Sequence, residues 1–490
     1  MTNSKSTKRA LIISILAIFM CVAMLIGTTF AWFTDTASTG VNKIVSGNLK
    51  VDIIGADSDS HIEKLNFTKA AVTDAEAGAE ILWEPGCRYL TEGFRIANKG
   101  NLALKWKAQV NTGTTVANEG NFDLLDVIDF YLVTKAADGT ETETALDVFT
   151  GNLKKTETSD VYYIKGVMQT TAGNDYQGLT LDGISITVVA TQDTVENDSF
   201  NNQYDKDAEY PILVTTGDQL QATVNNATAP VNIVLANSIT TNNFVIPADK
   251  DVTLDLNGRT VTNAGSHTIL NKGHLTLTDS STDKSGQIIS LKGNTAALRN
   301  GDNAVCVVEG GTISRDGANG NTWHVVENFG KMTFNGGKVV LKNGNGFAIT
   351  NGWNYFDPGA STTHAVMEIN ALELDTDSSG IKNCRYGDLT VNDVTVTSTG
   401  YWALSNDYLG TAVINGGTLT SNSFKAVSNG AAMTVNGGTF NGTNGLFVQS
   451  YATSTVLNGG TFANMNVAAL SSYVGTGHTA QQSGTSVIIK

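Results

Sequence analysis

Residues 412–440 read AVINGGTLTSNSFKAVSNGAAMTVNGGTF, and the chain repeats itself within this stretch. Two signatures alternate: an Asn-Gly-Gly triplet after a short apolar run, and an apolar residue followed two positions later by Asn. The triplet at Asn415 returns at Asn436, 21 residues on. Two interleaved signatures with one shared period of about 22 residues are typical of a solenoid in which each period is one coil.

The second signature extends from residue 269 towards the C-terminus. Its third position is Asn in seven coils, with degenerate copies at 448–450 and 470–472. Stacked in register, each side-chain amide can donate to one neighbour and accept from the other. We therefore predict a ladder that satisfies backbone groups at one corner of the coil. Its predicted members are Asn271, Asn300, Asn328, Asn351, Asn383, Asn406 and Asn429.

Between the signatures, Thr, Val, Ile and Phe alternate with polar residues in short runs, which predicts strands rather than helices. The sequence thus predicts an all-β chain whose residues 211–490 form a right-handed parallel β-helix of about ten coils. Residues 218–226 are the exception. With Leu220 and Val224 on one face, they predict a short amphipathic helix that caps the first coil.

The first 31 residues have the organisation of an export signal. Three basic residues precede an apolar core at 11–26, and small residues at its end predict cleavage between Ala31 and Trp32. The core is short for a spanning helix. We therefore expect no membrane segment after processing, a retained membrane anchor being the alternative.

The net charge of the chain narrows the range of expected partners. The formal net charge is −15, or about −18 without the three basic residues of the leader. This excess of negative charge repels nucleic acids and anionic membranes, so neither is an expected partner.

Cys87, Cys306 and Cys384 show no CxxC spacing. They are predicted to be buried thiols rather than a disulfide framework.

Residues 32–191 lack the 22-residue period and contain longer alternating segments. Leu104, Trp106 and Ala108 alternate with polar residues, the pattern of an antiparallel strand with one buried face. We predict a β-sandwich here, joined to the β-helix by an acidic linker at 192–210.

The N-terminal part resembles a known family of exported proteins. The junction GTTFAWFTD at 27–35 is similar to substrates of the SipW-type signal peptidase. WEPG at 83–86 and GFRIANKGNL at 93–102 are similar to segments of the TasA/camelysin family. The resemblance covers residues 1–191. It implies processing by a signal peptidase, a jelly-roll β-sandwich, and association with biofilm-matrix fibres.

The resemblance also implies a route of assembly. After cleavage, residues 32–42 would pair with the sheet of a neighbouring subunit, and Trp32, Phe33 and Val41 would set the register. The alternative is that this segment folds back as an edge strand of its own module. The β-helix part, through VTLDLNGRTVTN at 252–263, resembles pectate-lyase-like domains of bacterial surface proteins. That is a likeness of fold, and function does not follow from it.

No cofactor or metal is predicted. The chain has no HExxH motif, and His61 is the only His between residues 32 and 260, whereas a catalytic zinc needs three protein ligands. A calcium site at Asp205 and Asp207 is a weaker alternative to a solvated linker, because a DxD pair alone is a weak signal.

Two functions are open for the β-helix. Asp375 and Asp377 alternate on a predicted strand, with Lys382 and Arg385 as potential partners, and are weak candidates for acid/base catalysis on a polysaccharide. The alternative for this pair is a solvated strand face. The second function is glycan binding, because aromatic faces suit sugar rings. The candidate glycan contacts are Trp323, Trp353, Tyr355, Tyr386, Tyr401 and Trp402.

We therefore expect a secreted structural or adhesive protein of the cell surface or biofilm matrix. Its expected partners are other copies of itself or a matrix fibre, and its expected ligand is a polysaccharide. An extracellular polysaccharide lyase or glycoside hydrolase is the alternative. Carboxylates converging with a Lys or Arg in a cleft would favour the enzyme, and a flat face of Thr and Asn would favour the structural role.

Overall fold

A computed structural model describes residues 48–62, 65–68, 81, 83–111, 114–115, 122–146, 148–182, 185–193, 209–263, 265–317, 323–353 and 363–490. The predicted signal peptide and cleavage site, the segment with Trp32, Phe33 and Val41, the candidate calcium ligands Asp205 and Asp207, and Tyr355 lie outside these residues. The predicted all-β fold class is confirmed: a curled N-terminal sheet region precedes a β-solenoid of about ten turns. None of the described helices is both long and apolar enough to span a bilayer.

Twelve antiparallel strands form the described part of the N-terminal module. They are β1 (Val51–Gly55), β2 (Phe67–Thr68), β3 (Arg88–Thr91), β4 (Phe94–Asn98), β5 (Leu104–Asn111), β6 (Thr114–Thr115), β7 (Ile128–Lys135), β8 (Glu141–Ala145), β9 (Phe149–Leu153), β10 (Tyr162–Met168), β11 (Leu181–Asp182) and β12 (Ser185–Gln192). Strands β1 to β4, β7, β8 and β10 make one sheet, β12, β5 and β9 make a second, and β6 pairs with β11. One 3₁₀ turn, Leu124–Asp126, leads into β7, and another is formed by Asn174–Tyr176.

The two larger sheets share one hydrophobic core. Phe94 and Ile96 from β4 are buried against Leu104 and Trp106 from β5, together with Ile164 from β10. The alternation predicted for β5 is therefore observed, with its apolar residues buried and the lysines between them half-buried.

The solenoid is built from strands of three to five residues. In chain order they are β13 (Ile212–Val214), β14 (Val231–Leu235), β15 (Ile239–Thr241), β16 (Phe244–Ile246), β17 (Asp251–Asp255), β18 (Thr260–Asn263), β19 (Ile269–Asn271), β20 (His274–Thr278), β21 (Gln287–Ser290), β22 (Leu298–Asn300), β23 (Val305–Val308), β24 (Thr312–Asp316), β25 (Val326–Asn328), β26 (Lys331–Phe334), β27 (Lys338–Lys342), β28 (Phe347–Asn351), β29 (Ala365–Ile369), β30 (Glu373–Thr376), β31 (Ser379–Asn383), β32 (Gly387–Val391), β33 (Thr395–Ser398), β34 (Leu404–Asn406), β35 (Thr411–Ile414), β36 (Thr418–Ser421), β37 (Val427–Asn429), β38 (Ala432–Val435), β39 (Thr439–Asn441), β40 (Leu446–Val448), β41 (Ser454–Leu457), β42 (Gly460–Phe462), β43 (Ala480–Ser483) and β44 (Ser486–Ile489).

Successive coils pair in parallel and form three long sheets. The first sheet runs from β13 through β14 and then every third strand to β41, the second from β15 through every third strand to β42, and the third from β16 through every third strand to β40. The Asn-Gly-Gly triplets lie at the corner between the first and second sheets, and the Asn of the other signature ends most third-sheet strands. With a rise of about 4.8 Å per coil, the solenoid is about 45–50 Å long.

The corner between the third and first sheets carries a buried ladder of side-chain amides. Asn271 Nδ2 donates to Asn300 Oδ1 at 2.7 Å, and five further links of the same kind, each 2.7–2.9 Å, lead to Asn429. The amides also donate to first-sheet carbonyls, as Asn271 does to Val305 at 2.8 Å. The ladder ends where Asn429 donates to the hydroxyl of Thr455. All seven amides are at most 1% exposed, so the ladder supplies hydrogen bonds that water cannot.

A second ladder follows the Asn-Gly-Gly corner and has the opposite direction. Asn458 donates to Asn436, Asn436 to Asn415, and the chain continues through Asn392 and Asn370 to Asn335, with links of 2.7–2.9 Å. This ladder lies at the surface, and its asparagines are exposed or half-buried. Behind them the second glycine of the triplet makes the turn. At Gly417 φ is +94°, and a Cβ would lie 2.6 Å from a backbone oxygen of the preceding coil.

The corner between the second and third sheets is closed by inward-pointing polar side chains. Ser398 Oγ donates to a backbone carbonyl of the preceding coil at 2.6 Å. Arg315 takes the same position lower in the stack, is 1% exposed, and donates to Ser290 Oγ at 2.7 Å and to the Lys292 carbonyl at 3.1 Å. Burial lowers the pKa of Arg315 to about 10, so the side chain stays protonated at neutral pH.

Both ends of the solenoid are covered. The predicted N-terminal cap is confirmed as helix α1 (Gly217–Asn226), which buries Leu220 and Val224 and whose N-cap is the hydroxyl of Thr216. At the other end, helix α2 (Val467–Leu470), the 3₁₀ turn Ser471–Tyr473 and the hairpin β43–β44 cover the last coil, with β44 antiparallel to β42.

The repeat ends earlier than the sequence pattern suggests. Leu446, not Val448, lies opposite Val427, so the copy read at 448–450 is displaced by two residues. The copy read at 470–472 falls at the end of α2 and in the following 3₁₀ turn rather than in a strand. The reason is the open edge of the last parallel strand, which an antiparallel hairpin covers better than another incomplete coil.

The N-terminal module packs directly on the start of the solenoid. Val189 of β12 is buried together with Leu213, Val234 and Ala236 of the first coils, and Tyr210 packs against them. The opposite face of β12 packs on the core of its own module. Strand β12 is therefore covered on both faces.

The buried ladder generates a prediction on stability. Replacing Asn383 by Ala removes three hydrogen bonds donated by its amide and the acceptor for Asn351. Because these partners are buried, we expect the free energy of unfolding to fall by about 2–4 kcal/mol, measured by guanidinium denaturation with both the midpoint and the slope compared.

The matched control is Asn415→Ala in the exposed ladder, where water can replace both amide links. We expect a loss below about 1 kcal/mol there. Equal losses of unfolding free energy for the two variants would show that the buried amides stabilise the fold no more than the exposed ones.

Candidate functional site

The outer face of the third sheet is formed by the middle residue of the second signature. Because successive strands are in parallel register, these middle residues stack in one column along the solenoid. The column consists of Leu270, Arg299, Glu327, Thr350, Lys382, Ser405, Ser428 and Phe447. Its upper part, from Thr350 onward, is polar up to Phe447.

A groove of about 220 Å³ lies over this upper part. Its lining is Phe347, Lys382, Trp402, Ser405, Asn406, Asp407, Ser428, Gly430, Gln449 and Tyr451. These residues come from five successive coils, β28 to β40, so the lining spans about 19 Å along the solenoid, four steps of about 4.8 Å.

The floor of the groove is polar and largely self-paired. Lys382 Nζ lies 3.2 Å from Asp407 Oδ2 and 5.5 Å from the centre of the Phe347 ring. Gln449 Nε2 donates to Ser428 Oγ at 3.3 Å. The side chains of Lys382 and Asp407 remain 24% and 37% exposed, so a bound molecule can reach both charges.

Aromatic rings stand on both sides of this floor. Trp402 is held by Phe424, with ring centroids 4.7 Å apart at 81°, and lies nearly parallel to Phe447 at 6.1 Å. Tyr451, on the other side, is 55% exposed. A Cβ at Gly430 would lie 2.8 Å from the Tyr451 ring, so glycine at 430 leaves room for that ring.

The structure does not bring the candidate glycan contacts together. Of those that it describes, Trp402 alone lines the groove. Trp323 donates through Nε1 to Glu327 at 2.8 Å in a lower coil, and Trp353 is buried against Phe329. Tyr401 is 57% exposed and contacts Phe424 outside the groove. Tyr386 lies at the corner that follows β31.

Several lining residues were not singled out from the sequence. Ser405 and Ser428 occupy the same motif position as Lys382, so the column itself was a usable signal. Gln449 was the middle residue of the copy read at 448–450, but Phe447 takes that position in the structure. Tyr451 follows that copy and carried no such signal. Asn406 is both a member of the buried ladder and part of the groove wall.

The carboxylate pair predicted for catalysis lies elsewhere. Asp375 is on the outer face of the second sheet and pairs with Lys342 at 2.8 Å. Asp377 follows that strand and accepts hydrogen bonds from the backbone N–H groups of Asn343 and Gly344. Lys382 belongs to the third sheet, so the structure does not bring it together with these carboxylates.

A charged cluster occupies the lower part of the third-sheet column. Glu327, 3% exposed, accepts from Arg299 Nη1 at 2.9 Å as well as from Trp323. Burial lowers the pKa of both His267 and His324. His267 Nδ1 accepts from a backbone N–H, which fits a neutral ring.

No group of three or more His, Cys, Asp and Glu side chains able to hold a metal occurs in the described part of the chain. Cys306 and Cys384 are buried free thiols, as expected, and burial raises the pKa of each to about 12. Cys87 is a half-buried free thiol.

Comparison with known proteins finds no match for this chain among protein-family models, curated proteins or solved structures. The chemistry of the groove and the resemblance described above are therefore the basis for a function.

The contacts of the two aspartates generate a prediction. Asp377→Ala leaves two backbone N–H groups without their acceptor, and we expect it to lower the free energy of unfolding by about 1–2 kcal/mol. Asp375→Ala breaks a half-exposed ion pair and should cost less than about 1 kcal/mol. Thermal unfolding of both variants checks the order, and a larger loss for Asp375→Ala would contradict it.

Proposed function

We propose that this chain is a secreted structural or adhesive protein of the cell surface or extracellular matrix, and that its solenoid is a rigid rod that binds polysaccharide in the third-sheet groove. The observation that carries the proposal is the groove itself. It combines aromatic walls at Trp402 and Tyr451 with a floor of hydroxyl, amide and charged groups. Flat apolar faces suit pyranose rings, and the polar groups suit their hydroxyls.

The rigidity of the groove supports binding. Four of the five strands under it, β28, β31, β34 and β37, end in ladder amides, and Asn406 connects to Asn383 and Asn429 at 2.9 Å each. A floor held in this way loses little conformational freedom when a ligand binds, which lowers the entropic cost of association.

The second sheet supports the structural part of the proposal. Thr395, Thr418 and Thr439 stack on successive strands, next to the exposed Asn ladder. This is the Thr- and Asn-lined face that favours a structural role. Asp375 and Asp377, by contrast, are engaged with Lys342 and with backbone N–H groups, so we do not place a catalytic site there.

The groove is tested by binding. We expect the full chain to be retained by a subset of polysaccharides on an array. Tyr451→Ala, which leaves the fold unchanged because the ring is exposed, should weaken binding to a retained polysaccharide about tenfold in calorimetry. Trp402→Ala should weaken binding at least as much.

The matched control is Tyr401→Ala, an exposed tyrosine next to Trp402 but outside the groove. It should bind like the parent chain. Retention that survives both groove variants, or no retention by any polysaccharide, would contradict the proposal. Shortened polysaccharide after incubation would favour the enzymatic alternative.

Export and assembly belong to the same proposal through the resemblance to the TasA/camelysin family. We expect the processed chain that begins at Trp32 to form filaments visible by electron microscopy, and a chain lacking residues 32–42 to stay unassembled, because the donor strand is gone. Phe33→Asp is the point variant of the same test. Filaments from both chains, or from neither, would dispose of donor-strand assembly.

A further inference from the structure

Two buried N–H donors at the corner between the third and first sheets have no acceptor among the described residues. They are Trp353 Nε1 and Arg385 Nε. Trp353 is 9% exposed, and its ring lies 4.4 Å from that of Phe329. Because buried donors are nearly always hydrogen-bonded in folded proteins, two orphans at one corner point to a bound acceptor beyond those that the described residues supply.

The backbone holds these two residues face to face. Trp353 N donates to the Arg385 carbonyl at 2.9 Å, and Arg385 N donates to the Trp353 carbonyl at 3.2 Å. Directly opposed residues of an antiparallel bridge project their side chains to the same side, with Cβ atoms about 5 Å apart. The indole and the guanidinium are therefore neighbours on one side of the corner.

The guanidinium of Arg385 also lacks a counter-charge within the described residues. Its Nη2 lies 3.1 Å from the hydroxyl of Tyr386, and its Cζ lies 4.7 Å from the centre of that ring. The carboxylate of Asp388, three residues on, is held instead by the ring of His364 at 2.8 Å. A half-buried cation without an anion is costly, and a bound anion would remove that cost.

Backbone strain marks the same place. Tyr386 has φ of +59°, a left-handed conformation that is rare for a bulky residue. Such strain persists only where surrounding structure enforces it, and it clusters at ligand sites. Here it places the Tyr386 ring beside the guanidinium and thereby fixes the orientation of Arg385.

We propose that Trp353, Arg385 and Tyr386 form an oxyanion-binding site. The indole N–H and the guanidinium Nε–H would each donate to an oxygen of the ligand, and the guanidinium would neutralise its charge, the geometry in which Arg recognises carboxylate and phosphate. The ligand is an anionic group in which at least two oxygens share the negative charge. Its source is either the carboxylate of an acidic sugar or free phosphate. The three residues of this site do not line the groove, so the oxyanion proposal can be tested independently of polysaccharide binding.

The test observes the orphan donor directly. In the full chain labelled with [¹⁵N]tryptophan, the Trp353 indole N–H resonance is identified by its absence from the Trp353→Phe spectrum. Sodium phosphate and sodium glucuronate are titrated separately, each beside sodium chloride at equal ionic strength. We expect a saturable shift of the Trp353 resonance, with that of Trp106, buried in the core of the N-terminal module, as internal reference.

The pattern of saturation identifies the ligand. Saturation with phosphate alone assigns the free ion, and saturation with glucuronate alone assigns the sugar carboxylate. Saturation with both supports a general oxyanion site. No shift with either anion, or the same shift with chloride, overturns the proposal. Buried water would then be the acceptor for the two N–H donors.

Variants provide the second measurement, calorimetry with the anion that saturates. Arg385→Gln keeps the length of the side chain and removes the charge, so binding should be lost. Trp353→Phe keeps the packing on Phe329 and removes the N–H, so binding should weaken about tenfold or more. Arg88→Gln, at an exposed arginine of the N-terminal module, should bind like the parent. Unchanged binding by a folded Arg385→Gln chain would also overturn the proposal.

Discussion

The structure depends on one requirement: at every corner of every coil, backbone groups that no strand pairs must still find hydrogen-bond partners. An asparagine side chain suits a repeating structure because it carries a donor and an acceptor, so each copy can bond to the one above and the one below. The seven buried amides from Asn271 to Asn429 meet the requirement at one corner. A shift of one residue in any third-sheet strand would turn its amide outward and its apolar residues with it. The ladder therefore fixes the register of the sheets as well as the corner.

Because the register is fixed, each surface residue of one coil lies directly over the equivalent residue of the next coil. A residue type that recurs at one position of every coil therefore forms a column along the solenoid. Examples are the threonines of the second sheet and the polar middle positions of the third-sheet strands. Columns of like charge would repel. The third-sheet column avoids this by placing Arg299 against Glu327, while Lys382 pairs sideways with Asp407. The groove is the part of this column where the neighbouring corners carry large aromatic residues and leave the floor open.

The repeat made the solenoid predictable from the sequence, because strand, corner and ladder recur often enough for their spacing to be read. The N-terminal cap was predictable too, since Leu220 and Val224 form an amphipathic pattern just before the first coil. Non-periodic features were not. The C-terminal hairpin, the burial of Val189 against Leu213 and the turn of Tyr386 into a left-handed conformation each depend on contacts between segments that the local sequence does not identify. Candidate site residues divided in the same way: positions in a column were accessible to sequence reasoning, and Tyr451, on an irregular corner, was not.

The same amides also explain where the solenoid can vary. The Asn-Gly-Gly corner has a fixed form, because its second glycine must take a positive φ against the coil below. At the other corner the ladder amide holds the end of the third-sheet strand by itself, so the chain that follows is free to change. Two residues separate Asn271 from the next strand, whereas thirteen separate Asn351 from Ala365, and the amide link across each is unaffected, 2.7 Å and 2.9 Å. A connection whose length can change without disturbing the register is where binding groups can be placed at least cost to the fold. Trp353, Arg385, Asp407 and Tyr451 all follow a third-sheet strand at this corner, so the proposed oxyanion site and one wall of the groove lie along the edge that the ladder leaves adaptable.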